Sequence, residues 1–599
     1  MNILVNQIPS YDSFSTMFVD VETDEKDNMV GIGYTLDGIN YYYCTGITDE
    51  LKQLFSKVYL IGHNLKFDAH LLKKWGFDIK SDTLIGDTML ISYCLFGSSR
   101  SHALKTLAGE LLQMYWSTYE EMTTKEVKTV VYRKFETWKD EAGKRHRRKF
   151  DPPKPVETVK QVKVTLDQVE VDAVANYCCH DVAATYKLYQ VLLPQLIGPS
   201  LDVYTNIELP TMRVLFDMEN RGINLDCDKL KLLDQKVQKQ LADTILACEK
   251  YAPGINIGSS KQLAPVLESM GFWLPTTQAG NQSTKRSVLE LHKGHPFIDA
   301  LLEHSMLKKL ASSFTGPLSE LDTLPRVYPT FNQVRNKDGE MAGISTGRLS
   351  CSNPNLQQIP AKSELAKEIR QLFIPDEGKV LIVGDFSQIE PRILAHLSKD
   401  WYLQDVFNTN TDMYLALIKG TAWESKENGR DIGKTFYLAL SYGAQAKKLA
   451  KVFKCSVDEA MRLMEQCWEN IPQVKEWQMK TVAEARKTGY VETMYGRKRF
   501  LPELESEDFF IRSSAERQAI NMPVQGTAAD IMKKATINLA KAGYPIQLVV
   551  HDEVIMSVDE EMAEFAIDDV KQIMENVVKL DVPLKVSINS GRNWDQAKG

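Results

Sequence analysis

Hydrophobic and polar positions alternate or cluster along the chain in ways that place most of its elements. Lys379-Val-Leu-Ile-Val-Gly-Asp-Phe386 is a short β-branched run of the kind that forms a buried strand, and it ends on Asp385. The chain then turns helical, with Pro391 early enough in the helix to be tolerated. A second run, Ile546-Gln-Leu-Val-Val550, ends on His551 and Asp552, and apolar residues resume after Glu553, which predicts a hairpin turn at His551-Asp552. Residues 17–22, Met-Phe-Val-Asp-Val-Glu, alternate as a strand does and put Asp20 and Glu22 on one face. Tyr177 and Asp181 are four apart in a helical stretch reaching about Leu193, and are therefore neighbours on it. Residues 199–256 read as helical with little chemistry, and further helices are expected to start near Ile257 and Thr284.

Arg430, Lys434, Leu438 and Tyr442 recur every four residues, which on a helix makes one stripe drifting about 40° per step. Two cations, an apolar residue and an aromatic on one face suit a nucleoside triphosphate, with phosphates at one end and base at the other. Two strands ending side by side would let Asp385 and Asp552 share two divalent ions, the geometry of in-line phosphoryl transfer. Taken singly, each acid is equally well an ordinary turn residue. Asp20, Glu22, Asp68 of Asn64-Leu-Lys-Phe-Asp68, and Asp181, with Tyr177 to orient a water, form a second set suited to two Mg²⁺ ions and phosphodiester hydrolysis; each pair alone is also an ordinary surface or capping acid.

Together these segments resemble motifs A, B and C of the family A DNA polymerases, the family of bacterial DNA polymerase I. The second set, Asp20, Glu22, Asp68 and Asp181 with Tyr177, is similar to the proofreading 3′–5′ exonuclease of the Tyr-containing DEDD type. The resemblance implies a multidomain α/β and α+β chain: a ribonuclease H-like exonuclease domain at 1–198, then a right-hand polymerase domain at 199–599. Within the latter it implies a thumb at 199–325, a palm at 326–400 and 540–599, and fingers at 401–539. It implies Asp20, Glu22, Asp68 and Asp181 as nuclease metal ligands, with Asp87 in a supporting position. Asp385, Asp552 and the Phe386 carbonyl would hold the polymerase metals, supported by Glu553. Arg430, Lys434, Leu438, Tyr442, Gln388, Glu390 and Tyr414 would meet the incoming nucleotide, Lys434 assisting the departing pyrophosphate, and Glu390 standing where a ribose 2′-OH would lie. Arg348, Asn355, Gln357, Arg517, Asn521, Gln525 and His551 would touch primer-template DNA, Arg348 in the minor groove, whose acceptors are nearly the same for every correct pair. Three positions depart from the family pattern: Leu438 stands where Phe or Tyr is usual, Tyr414 where a His is frequent, and Gln358 where Asn is usual.

The implied activity is template-directed DNA synthesis from dNTPs with 3′–5′ proofreading, in DNA replication, using two Mg²⁺ per site with Mn²⁺ as an alternative. The alternatives are a nuclease or DNA-binding scaffold without polymerase activity, a single-subunit RNA polymerase or reverse transcriptase, and a lesion-bypass enzyme. Intact acids and cations in motifs A to C oppose the scaffold; Glu390 and the complete nuclease set oppose the others. Candidate partners beyond primer-template DNA and dNTPs are a helicase or single-strand-binding protein, and a monomer is expected. No 5′-nuclease segment precedes Asp20, which suggests a phage or organellar replicative enzyme.

Composition narrows this further. A chain of 599 residues is too long for one core. No apolar stretch approaches the 18 residues of a membrane span, and Met1-Asn-Ile-Leu-Val-Asn-Gln7 has neither signal nor transit character, so a cytoplasmic location is expected, the bacterial host's if the source is a phage. The nine Cys are scattered without a CxxC pair, which excludes a disulfide framework or a zinc site. Net charge is −7, yet residues 122–163 hold thirteen Lys or Arg against six Asp or Glu. This stretch interleaves Tyr132, Phe135 and Trp138 with cations, and includes Asp151-Pro-Pro, expected to turn. Two readings stand: a solvated loop, or a surface for single-stranded nucleic acid.

Overall fold

The computed structural model describes residues 1–9, 15–139, 144–277, 280–334, 344–360, 363–441, 446, 449–450 and 455–599. It divides into two compact units, one of residues 1–95 and 100–204, the other of residues 96–99 and 205–599.

The first unit is built on a six-stranded mixed sheet: β1 (Asn2–Val5), β2 (Ser15–Thr23), β3 (Met29–Thr35), β4 (Asn40–Cys44), β5 (Val58–Gly62) and β6 (Leu84–Asp87). Their spatial order is β1-β4-β3-β2-β5-β6; β2 is antiparallel to β3 and parallel to β5. The helix Val171–Leu192 lies on this sheet. It approaches closely because Gly33 has no side chain: a Cβ there would come within 2.6 Å of Cys178 Sγ.

From Thr124 onward, the described residues of the stretch 122–163 are not a loop, nor do they turn at Asp151. They form a two-stranded antiparallel ribbon, β7 (Thr124–Lys139) with β8 (Arg145–Lys163). Alternating Val and Thr at 127–131 and 156–162 supply the β pattern that the charge density obscures. Asp151, Pro152 and Pro153 fall inside β8 where the register jumps, Arg133 pairing with Lys154 but Phe135 with Lys149. Pro is tolerated at such a bulge because no ladder hydrogen bond is required of it.

The second unit centres on a four-stranded antiparallel sheet in the order Ile546–Val550, Glu553–Asp559, Lys379–Phe386, Val586–Gly591. Val380 to Val383 are buried, as expected of a central strand covered on both faces. The helices Ile389–Ser398, Phe509–Lys541 and Ala563–Glu575 contribute to the same core. A separate small core joins the end of helix Cys227–Glu249 to Ser260–Ser269 and Pro296–Leu310. Helix Gly429–Ser441 packs on the short helix Met413–Leu417. Gly433 makes that contact possible, since a Cβ there would sit 2.0 Å from the Tyr414 carbonyl oxygen.

Candidate active sites

In the second unit the strand register does the positioning. Asp385 pairs directly with Glu553 across the sheet, and Phe386 donates its N–H to the Asp552 carbonyl at 3.1 Å. His551 and Asp552 occupy the hairpin turn, with His551 in the left-handed region at φ 55°. Three carboxylates therefore meet at the ends of adjacent strands. Burial raises Asp385 to about 6; Glu553 and Asp552 push the same way and Lys598 opposes them. Glu553 is buried and held by the Trp594 indole N–H at 2.5 Å and by the Lys598 ammonium.

The helix after Asp385 starts from Gln388 in the left-handed conformation at φ 56°, which turns the chain from strand into helix. Glu390, in its first turn, accepts from Arg348 Nη2 at 2.5 Å, and the same nitrogen lies 3.6 Å from Asp552 Oδ1. Burial raises the Glu390 carboxyl despite Arg348.

Arg430, Lys434 and Leu438 form the exposed stripe of helix Gly429–Ser441, while Ile432, Phe436 and Tyr437 face the core. Tyr442, the fourth member of the predicted stripe, lies outside the described residues. Arg430 Nε donates to Asp412 at 2.8 Å, and its guanidinium lies 5.3 Å from the centre of the Tyr414 ring. Gln388 hydrogen-bonds Tyr414.

A cavity of about 390 Å³ opens beside the carboxylates. Arg348, Gln357, Asn521, Gln525, His551 and Asp552 line it, so six of the predicted DNA and metal contacts share one wall system. Asn521 and Gln525 stand one turn apart on helix Phe509–Lys541. Arg517, a turn earlier, is outside the lining and donates to Ser513 Oγ at 2.8 Å. Asn355 lies instead in a neighbouring depression with Asn353 and Gln358, its Oδ1 buried without a hydrogen-bond partner.

In the first unit Asp20 and Glu22 on β2, Asp68 on helix Leu65–Lys74, and Tyr177 and Asp181 on helix Val171–Leu192 converge. Oxygens of Asp20 and Glu22 and the Cys178 sulfur lie within 4.8 Å of one another. Burial raises Asp20, Glu22 and Asp68 well above the carboxylate range, mutual repulsion adds to it, and Asp181 is raised to about 6. Asp68 Oδ2 is buried with no hydrogen-bond partner. Asp87 plays a different part: its carboxylate accepts from the N–H groups of Leu65 and Met89, both at 2.8 Å, capping two helices.

Both clusters fit hard divalent cations: the nuclease acids are desolvated, repel one another and leave Asp68 Oδ2 without a partner, and in the polymerase set burial with Glu553 and Asp552 raises Asp385. Sequence reasoning missed several neighbours. The Trp116 indole donates to Asp181 at 2.8 Å, and Lys105 lies 4.1 Å from the Tyr177 ring centre. Glu208, Arg497, Asp530 and Lys533 form a buried ionic cluster behind the cavity. A lone charge in an apolar helix gives no signal of such partners.

Comparisons with known proteins follow the same division. The model of DNA polymerase family A matches residues 227–596, and a 3′–5′ exonuclease model matches residues 26–197. The thermostable DNA polymerase I of Thermus filiformis is 37% identical over 428 residues, 69% of this chain and 50% of that protein. DNA polymerase I of Pseudomonas aeruginosa is 31% identical over 558 residues, 90% of this chain and 56% of its own length. The chain thus spans about half the length of these curated relatives. A solved structure, the POL domain of Pol1 from M. smegmatis in complex with DNA primer-template and dNTP, superposes with a TM-score of 0.79 at 30% identity, over 98% of this chain and 96% of that one. With an exonuclease domain followed by a polymerase domain, the chain belongs to DNA polymerase family A.

Proposed function

We propose that this protein extends primers on a DNA template from dNTPs and excises mismatched 3′ ends, in DNA replication. The observation that carries the reading is the presence of two carboxylate sets, one in each unit, in which burial and neighbouring acids push carboxyls above their ordinary range, a strain that a bound cation relieves. Residues 1–198 act as the exonuclease; 199–325 as thumb, 326–400 with 540–599 as palm, and 401–539 as fingers.

In the polymerase site Asp385, Asp552 and the Phe386 carbonyl hold Mg²⁺, or Mn²⁺ in its place. When bound, such ions neutralise charge on the attacking and leaving oxygens of an in-line displacement. Glu553, fixed by Trp594 and Lys598, supports the two aspartates from a set position across the strand from Asp385. Arg430, Lys434 and Tyr414 take the triphosphate, Lys434 offering charge or a proton to the pyrophosphate oxygen as it departs, and Gln388 orients Tyr414. Leu438 and Tyr442 meet the sugar and base of the nucleotide. Arg348, Gln357, Asn355, Arg517, Asn521, Gln525 and His551 hold primer and template.

In the nuclease site Asp20, Glu22, Asp68 and Asp181 are the ligands and Tyr177 positions the attacking water. Trp116 holds the Asp181 carboxylate, and Lys105 offsets the concentration of negative charge. Action in the cytoplasm, as a monomer beside a helicase or single-strand-binding protein, completes the proposal; among the described residues no helix is long and apolar enough to cross a membrane.

Primer extension tests the whole reading. The protein should add dNTPs and not NTPs in template order with Mg²⁺ or Mn²⁺, stop with EDTA, and shorten a mismatched primer end before extending it. Degradation of single strands without any extension would sink the polymerase half.

A further inference from the structure

The ribbon β7–β8 is a large feature that synthesis and excision leave unused. At about 3.3 Å per residue its sixteen-residue first strand extends roughly 50 Å. Register settles how its charges are arranged. Phe135 pairs with Lys149, so Phe135, Arg145, Arg147 and Lys149 share one face of the tip, while Trp138 and Arg148 are on the other. Phe135 is 38% and Trp138 46% exposed, well above what aromatic side chains show in a packed domain. The Arg147 guanidinium lies 3.6 Å from the Phe135 ring centre, a cation on an aromatic face already at the surface.

Both roots of the ribbon connect by short segments to elements that carry the nuclease site. β7 begins eight residues after Trp116, which holds Asp181, and Lys105 donates to the Ser117 carbonyl at 2.5 Å. β8 ends shortly before the helix Val171–Leu192 that carries Tyr177 and Asp181. The stretch 122–163 has an excess of seven positive charges in a chain that is −7 overall, so its complement is a polyanion. Exposed rings interleaved with arginines are suited to unpaired bases, whose faces can stack, more than to a duplex, whose faces are covered.

We infer that the ribbon is a binding arm for single-stranded DNA that lies along the strand leading to the nuclease site, its arginines on phosphates and Phe135 and Trp138 on bases. This rests on the amino-terminal unit being a nuclease of 3′ ends. The phosphate contacts are non-specific, so the arm tolerates any sequence and raises the local concentration of ends at the site. Its effect is on affinity for long strands and not on the cleavage step, which belongs to the carboxylates.

The test uses the full chain and a long labelled oligo-dT in EDTA, with anisotropy read across a salt titration. Arg145→Glu with Arg147→Glu and Arg148→Glu should flatten the slope of log Kd against log salt by about 2, at roughly 0.7 per phosphate contact. Phe135→Ala with Trp138→Ala should weaken binding on the order of ten-fold with the slope unchanged. Hydrolysis of a dT trinucleotide with Mg²⁺, too short to reach the ribbon, should persist in both variants and shows that the unit is folded. Unchanged affinity and slope in both variants, with trinucleotide hydrolysis retained, would overturn the inference and leave the ribbon as a surface for a protein. Absence of trinucleotide hydrolysis in the unmodified chain defeats the nuclease reading alone, because the binding comparison is made without metal.

Discussion

Arg348 and Glu390 are joined at 2.5 Å, and the same guanidinium nitrogen lies 3.6 Å from Asp552. A residue proposed for the minor groove is thus tied to the residue proposed to screen the sugar, so the two tasks share one ion pair. Glu390→Ala should raise NTP incorporation relative to dNTP by roughly ten- to a hundred-fold, the discrimination that packing around one small group can give. It should also slow dNTP addition, since Arg348 loses its anchor. Steady-state kinetics with each nucleotide check this; unchanged discrimination removes Glu390 from the role.

The two carboxylate sets should be separable. Asp385→Ala or Asp552→Ala should lower extension on the order of a thousand-fold or more, since metal stabilisation of transferring phosphoryl oxygens supplies several kcal/mol. Single-strand degradation should persist. If a folded variant lost both activities, the two sites would not be independent.

Asp20→Ala combined with Glu22→Ala should have the opposite effect, abolishing degradation, sparing extension and raising the error rate. Continued excision of a mismatched terminus by this variant would locate a nuclease centre elsewhere.

Leu438 is 43% exposed on the stripe with Arg430 and Lys434, the exposure expected of a residue that meets a ligand. Leucine offers neither a flat π face nor a hydroxyl. Tyr differs from Phe by a hydroxyl, whose hydrogen bond is worth roughly 0.5–1.5 kcal/mol, so Leu438→Tyr should raise the ratio of dideoxy to deoxy incorporation by about two- to ten-fold. Leu438→Phe should change the dNTP addition rate without that gain. Both are measured in a proofreading-deficient background, since excision erases the terminator. A ratio unmoved by either variant would return Leu438 to simple packing.

Glu208 offers a test by pH. Burial alone would raise its carboxyl, but Arg497 and Lys533 overcome this and hold it at about 2, below its ordinary 4.5. A depressed carboxyl stabilises the fold fully above its unfolded value and loses that contribution as pH falls toward its folded value. Glu208→Gln leaves Arg497 and Lys533 with Asp530 as their remaining acid and should cost about 3–5 kcal/mol. The difference in Tm between the two proteins should be constant from neutral pH down to about 5, then shrink as pH falls further. A difference that grows on acidification would contradict the assignment.

The strands ending on Asp385 and Asp552 were legible because β-branched runs closing on an acid have few alternatives, and the Arg430–Leu438 stripe because its period is helical. The pairing of Asp385 with Glu553 follows from those strands lying together. The Glu208 cluster was not legible, since its members come from three distant segments and each reads alone as an ordinary surface charge. The strands of the ribbon were not legible, because lysines, arginines and prolines outweigh its Val and Thr alternation. Lys105 and Trp116 went unnoticed for a related reason: nothing local marks a side chain whose partner is remote in sequence.

The cluster behind the cavity also bears on when the catalytic unit comes into being. Lys533 and Glu208 are 325 positions apart, and the strand bearing Asp385 is bordered only by strands that follow it much later in the chain. Contacts of such long range must be preceded by the closure of a very long loop, which makes them late events in folding. A half-folded second unit therefore has Asp385 and Asp552 dispersed and holds no assembled polymerase centre. Onset of primer extension during refolding should accordingly coincide with burial of Glu208, a late step and not an early one.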